Sequence, residues 1–226
     1  MTLKNLLFDL DGTLTNPAEG IVGCIKHALN SLHIAPPPDT ELLKYIGPPL
    51  RGSFVEMLGD ENLAERALTA YRERFSTIGM FENEVYPDIP NVLSELRETG
   101  FNLLVATGKP EPFAVTILKH FGLFEFFSHV YGSSLIGENT DKADLIAHLL
   151  KERAFDPTDC LMIGDRKHDI IGAHKNGVKA LGVLWGFGSR EELEQASADF
   201  LAEYPDTLTV RFGQRGIVSQ PGKTYE

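Results

Sequence analysis

The chain of 226 residues carries 21 Lys and Arg against 32 Asp and Glu, a formal charge of −11 with histidine neutral, and is 42% hydrophobic and 23% charged. That is the balance of an ordinary globular protein of one to two domains with enough apolar material for a full core. The acidic excess, with no large Lys/Arg cluster to offset it, argues against general binding to nucleic acid or to an anionic membrane.

The first element is the apolar run Leu6 to Phe8, which meets Asp9 and Asp11 far too soon for a signal peptide or a membrane span. It reads as a buried strand, and the expected location is the cytoplasm. From Asn16 to Val85 the pattern is helical with no convincing strand. One stripe is Ile21, Cys24, Ile25, Ala28, Leu29 and Leu32, and another is Leu63, Ala67, Leu68, Tyr71 and Phe75, with Pro36-Pro37-Pro38 and Gly47-Pro48-Pro49 between them. Then helix and strand alternate. Helices are expected over Pro90 to Thr99, Glu111 to Phe121 and Asp141 to Arg153, and strands over Leu103 to Ala106, Leu161 to Ile163 and Ala180 to Leu184. This alternation predicts an open α/β sheet. The expected organisation is an α/β core of residues 1–15 and 86–208, a helical cap of residues 16–85 inserted after the first strand, and a loosely held extension from Thr209 to Glu226. Cys24 and Cys160 lack the spacing of a disulfide framework or a zinc site and read as small buried hydrophobes.

Four pieces of chemistry fall at the ends of these elements. In an open parallel sheet, ligands bind beyond the carboxyl ends of the strands. Asp9-Leu10-Asp11-Gly12-Thr13 follows the first strand, with two carboxylates one residue apart on the same side of extended chain and a glycine for the turn. Thr107-Gly108-Lys109 ends the second strand, where a hydroxyl and free N–H groups suit either a phosphoryl oxygen or the cap of the following helix. Lys109 reads as a phosphate contact or a solvated charge. Lys142 opens a helix whose dipole it opposes, a local conflict that points to service elsewhere, with a solvated lysine as the alternative. Gly164-Asp165, with Asp169 beyond, adds two carboxylates that make a hard oxygen site suited to magnesium, while His168 reads as a loop surface residue.

Taken together and in order, Asp9-Leu10-Asp11-Gly12-Thr13, Thr107, Lys142 and Gly164-Asp165 with Asp169 resemble the haloacid dehalogenase superfamily of phosphatases, within it most of all the phosphoglycolate phosphatase branch and related nucleotidases and pyrophosphatases. The resemblance spans Leu6 to about Leu184. It implies a Rossmann-like parallel sheet core with the cap inserted, and a Mg2+-dependent phosphatase acting on a small phosphorylated metabolite, phosphoglycolate-like or a 5′-nucleotide. It further implies Asp9 as nucleophile, Asp11 as acid and base, Thr107 and Lys142 as charge stabilisers, and metal held by Asp9, the Asp11 carbonyl, Asp165 and Asp169. Gly108 stands where relatives commonly carry Ser or Asn, so one side-chain donor to substrate is missing there. Thr107, Gly108 and Lys109 are the expected core contacts to substrate. In the cap, Arg51 in the loop from Ile46 and the helix around Glu19 to Lys26 are the candidates for selecting the leaving group. Arg51 either grips a second anion on the substrate or covers apolar cap surface with its stem.

Asp11 argues against the dehalogenases and phosphonatases of the superfamily, which usually lack it. A sugar phosphomutase keeps both aspartates and is the alternative enzyme; a phospho-ligand-binding regulator with negligible turnover is the alternative outside catalysis. A monomer or homodimer is expected.

Overall fold

The computed structural model describes residues 3–135 and 139–212. The chain opens with β1 (Asn5–Phe8) and β2 (Thr15–Asn16), followed by helices α1 (Ala18–Ser31), α2 (Asp39–Leu42), α3 (Leu50–Leu58) and α4 (Glu61–Arg74). A π-helical turn, Phe75–Gly79, leads from α4 to β3 (Glu84–Val85). Then come α5 (Ile89–Glu98), β4 (Asn102–Pro110), α6 (Glu111–His120), β5 (His129–Ser133), α7 (Lys142–Arg153) and β6 (Cys160–Gly164). The last elements are α8 (Lys167–Lys175), β7 (Lys179–Val183), α9 (Arg190–Gln195), β8 (Phe200–Ala202) and α10 (Thr207–Phe212).

Six strands form one parallel sheet in the order β5-β4-β1-β6-β7-β8. The expected α/β class is therefore observed, and the four expected strands fall in β1, β4, β6 and β7, with only Leu184 lying beyond its strand. Their unbroken apolar runs follow from burial on both faces. Leu7, Leu104, Met162 and Ala180 pack on α7 and α8 through Leu145, Ile146, Ile170 and Ala173. Leu6, Phe8, Val105 and Ile163 face the opposite layer, where Leu93 of α5 and Ile117 of α6 cover them.

Both edge strands, β5 and β8, escaped the sequence reading. β5 is His-Val-Tyr-Gly-Ser, which shows no apolar run, and β8 is Phe-Leu-Ala, three residues that the charged and polar residues around them, Asp199 and Glu203, leave isolated.

Between β2 and β3 the described chain is helical, with Ile21, Cys24, Ile25 and Ala28 of α1 meeting Ala64, Ala67, Leu68 and Tyr71 of α4 in the apolar cluster. The two ends of this segment do pair, which the reading of a strand-free insert missed: Thr15 opposes Val85 and Asn16 opposes Glu84 in a short antiparallel ribbon. Two residues per strand are too few to register as a pattern. The loose extension expected from Thr209 also needs correction. Thr209 to Phe212 belong to α10, with Leu208 and Phe212 buried and the Phe212 ring 6.0 Å from that of Phe101. Residues 213–226 lie outside the described residues. Among the described residues, no helix is long and apolar enough to cross a membrane.

Candidate functional site

Parallel strands end on one side of their sheet, so the segments after β1, β4 and β6 converge there although they are far apart in the sequence. The Asp9 N–H donates to the Ile163 carbonyl at 2.9 Å, which carries the sheet pairing one residue past β1 before the chain turns. Gly12 makes that turn with φ +84°, and a Cβ there would fall 2.2 Å from Asp165 Oδ2. Leu10 and Leu14 are buried beneath it, which fixes the turn from below.

Lys142 is the hub. Its Nζ lies 3.1 Å from Asp9 Oδ1 and 2.7 Å from Asp169 Oδ1, and donates to the Ala106 carbonyl at 2.8 Å. The start of α7 is satisfied by Asp141, whose carboxylate accepts the Ala143 N–H at 2.7 Å. That leaves Lys142 to reach under the sheet edge, the service that its poor fit to the helix dipole suggested. Burial alone would lower its pKa; the Asp169 and Asp9 carboxylates reverse this and hold the ammonium above its ordinary range.

Oxygen atoms of Asp9, Asp165 and Asp169 all lie within 4.8 Å of one another, and all three residues are buried. Burial pushes Asp169 up to about 6 against the pull of Lys142, and pushes Asp165 well above the usual carboxylate range with help from Asp169 and Asp9. Asp165 Oδ2 accepts the Phe187 N–H at 2.8 Å, while its Oδ1 is buried with no hydrogen-bond partner among the described residues. An all-carboxylate set with an orphaned buried oxygen fits a hard divalent cation, whose charge would relieve the repulsion.

The carboxylate of Asp11 stands apart from this trio, paired with Lys109 at 2.8 Å. Burial raises its pKa and Lys109 opposes the rise. Lys109 is no solvated charge: its side chain is 6% exposed, and its Nζ sits 4.6 Å from the centre of the Phe75 ring. Thr107 is buried and its hydroxyl accepts the Lys109 N–H at 3.2 Å. The capping role open to it is absent, because β4 runs on to Pro110, which itself stands at the N-cap of α6. Gly108 lines the cleft, and its carbonyl accepts from Ser133 Oγ at 2.8 Å.

Asp9, Asp11, Thr107, Lys109, Lys142 and Asp169 face one cavity of about 790 Å3, and Asp165 does not. Its far wall comes from the helical segment, with Tyr71 stacked on Phe75 at 5.4 Å and Phe75 edge-on to Phe113 at 5.5 Å. Arg51 is on that wall, tied to Glu65 at 2.5 Å and to Glu61 at 3.6 Å. Of the helix around Glu19 to Lys26, Ile21 reaches the cavity wall. His168 is not a loop surface residue: it lies in the first turn of α8, partly buried at the cavity wall, and outside the carboxylate trio.

Two features went unread in the sequence. Arg166 is buried and crosses the cleft, donating to the Ile46 carbonyl and, at 3.5 Å, to that of Lys44, while its Nε holds Glu192 at 2.9 Å. Its place between Asp165 and Asp169 was the available signal. The loop after β7 clasps Asp165 through the Phe187 N–H, and the Trp185 indole N–H donates to the Thr13 carbonyl at 3.0 Å. The glycines alternating with aromatics in Trp185-Gly186-Phe187-Gly188 mark it.

Comparison with known proteins agrees with this geometry. A 5′-nucleotidase of Pseudomonas aeruginosa is 48% identical over 190 residues, covering 84% of this chain and 86% of that protein. The tyrosine-protein kinase PtkA of Mycobacterium tuberculosis is 40% identical over 194 residues, 85% of this chain and 66% of that protein. The crystal structure of a predicted phosphatase from Clostridium acetobutylicum superimposes with a TM-score of 0.91 at 43% identity, covering 95% of this chain and 100% of that one. Proteins named phosphoglycolate phosphatase are also among the relatives. The family model described as haloacid dehalogenase-like hydrolase matches residues 6–183, the stretch that holds every strand-end residue above except the clasping loop, and the chain belongs to that hydrolase family.

Proposed function

We propose that this hydrolase is a magnesium-dependent phosphomonoesterase that acts on a small phosphorylated metabolite, phosphoglycolate-like or a 5′-nucleotide, through an aspartyl-phosphate on Asp9. The observation that carries the reading is the position of Asp9, buried at the sheet edge within 3.1 Å of Lys142 Nζ and beside Asp165 and Asp169. Relatives named 5′-nucleotidase, pyrophosphatase and phosphoglycolate phosphatase support the phosphate chemistry.

In this mechanism Asp9 attacks phosphorus and the bond to the leaving oxygen breaks as Asp11 delivers its proton to that oxygen. A water then attacks the acyl phosphate, giving its proton to Asp11 and releasing inorganic phosphate and free Asp9. Lys142 offsets negative charge on Asp9, and the Thr107 hydroxyl with the N–H groups beside it receives the phosphoryl oxygens. Asp9, the Asp11 carbonyl and Asp165, supported by Asp169, would hold magnesium, which would supply the positive charge that an anionic nucleophile needs to meet an anionic phosphate.

The test is phosphate release from a panel of phosphoglycolate, nucleoside 5′-monophosphates, sugar phosphates and pyrophosphate. Activity is expected to vanish on chelation, return with magnesium, and fall with calcium, which prefers more ligands in a looser geometry than in-line attack by Asp9 allows. Asp9→Asn retaining activity within about tenfold, a barrier change of only ~1.4 kcal/mol, or full activity after exhaustive chelation, would overturn the reading.

A further inference from the structure

The cations that line the cleft differ in how far they are already spoken for. Lys142 serves Asp9 and Asp169, and Lys109 serves Asp11. Arg166 is held by Glu192 and the Ile46 carbonyl, and Arg51 by Glu61 and Glu65. Arg72 also lines the cleft and is partly buried, yet its side chain has no ion pair, hydrogen bond or ring beneath it among the described residues.

The helix places it there by its period. Glu65, Leu68 and Arg72 of α4, with Phe75 just after it, lie at spacings of three, four and three residues, on one face, and all four line the cavity. Arg74, two residues on, falls on the opposite face and is locked to Glu82 by two bonds of 2.7 and 2.9 Å. Arg66 is exposed and away from the cavity. Among the four arginines of α3 and α4, Arg72 is thus the one that presents an uncommitted guanidinium to the cleft. It does so beside Tyr71 and Phe75, where water is partly displaced and an unanswered charge is costly.

We propose that Arg72 forms a second anion subsite, which binds a carboxylate or phosphate on the leaving group while the transferred phosphate sits at Asp9. A planar guanidinium pairs bidentately with either group, and the pairing strengthens as substrate expels water from the aromatic wall. The cavity, about 790 Å3, has room for a leaving group that spans from the sheet edge to α4. The inference rests on the phosphatase reading and assigns to Arg72 the grip for which Arg51 was the candidate in the sequence.

The experiment uses the full chain with magnesium and four esters: 4-nitrophenyl phosphate, 2-hydroxyethyl phosphate, 2-phosphoglycolate for the carboxylate arm, and a nucleoside 3′,5′-bisphosphate for the phosphate arm. The readout is the kcat/KM of each ester with a second anionic group divided by that of 4-nitrophenyl phosphate. In Arg72→Met this ratio is expected to drop at least tenfold for one or both arms, mainly through KM, with partial recovery in Arg72→Lys. In Arg51→Met it moves less than threefold. The arm that responds identifies the anion. The subsite is refuted if Arg72→Met lowers all four esters equally, if it changes neither the phosphoglycolate nor the bisphosphate ratio, or if Arg51→Met reproduces the selective loss. If the parent hydrolyses none of the four, the phosphatase reading fails first. The subsite then stands or falls on calorimetric binding of phosphonoacetate, which Arg72→Met must weaken at least fivefold relative to the parent.

Discussion

The ammonium of Lys109 lies 2.8 Å from Oδ2 of Asp11 and sits over the face of Phe75, so the proposed acid and base is aimed by a residue three positions beyond the end of the expected strand Leu103 to Ala106 and by a ring from the helical segment. Lys109→Met removes the aim and keeps the stem. With a poorly leaving alcohol, kcat is expected to fall about tenfold or more, ~1.4 kcal/mol of barrier, because protonation of the leaving oxygen then limits the step. With 4-nitrophenyl phosphate, whose leaving group hardly needs a proton, the loss is expected to be clearly smaller. Equal losses on the two esters would show that Lys109 acts on binding or folding and not through Asp11.

Arg166 bonds to the Ile46 and Lys44 carbonyls on the far side of the cleft while its own N–H donates to Asp169 Oδ2 at 3.1 Å. Arg166→Met leaves these carbonyls without their donor and Glu192 with the Lys167 N–H but no guanidinium, at a cost of about 1–3 kcal/mol in stability. Hydrogen exchange should rise first in the segment from Lys44 to Gly47, ahead of α1 and α4. A uniform rise across the helical segment would argue that Arg166 contributes only to global stability.

Gly188 and Gly52 make a matched pair. A Cβ on Gly188 would fall 1.9 Å from the Asp165 carbonyl oxygen, whereas one on Gly52 meets nothing within 4 Å. Gly188→Ala must displace the loop that clasps Asp165, and the magnesium concentration for half-maximal activity is expected to rise about tenfold, ~1.4 kcal/mol. Gly52→Ala, inside α3, should raise stability by about 0.5–1 kcal/mol through helix propensity. Thermal unfolding and a magnesium titration check both, and an unchanged metal requirement in Gly188→Ala would contradict the clasp.

Cys24 and Cys160 are fully or almost fully buried. Burial pushes the Cys160 thiol up to about 11 against a bond from Asn5, and raises Cys24 against Arg74. At pH 8 roughly one Cys160 in a thousand is thiolate, so neither cysteine should react with Ellman's reagent in the native protein, and both should react at once in guanidinium. Rapid native labelling of either would reveal local opening at that site.

How much of this was legible in the residues depends on how local each cause is. Strands buried on both faces must be apolar throughout, so Leu6 to Phe8, Leu103 to Ala106 and Leu161 to Ile163 announced themselves, and parallel pairing then obliges Asp9, Thr107 and Asp165 to meet at one edge. Lys142 was legible too, because its conflict with a helix dipole is contained in a few neighbouring residues. What the tertiary structure decided is pairing across distance. Sequence alone does not separate Arg51 from Arg72 as the cation that faces substrate. Only the packing of α3 on α4 brings Glu61 and Glu65 to Arg51 and leaves Arg72 to the cleft. Arg166 likewise finds its carbonyl acceptor 120 residues away. A side chain's charge is written in its identity, but whether that charge is spent on the fold or kept for a ligand is a property of its neighbours in space.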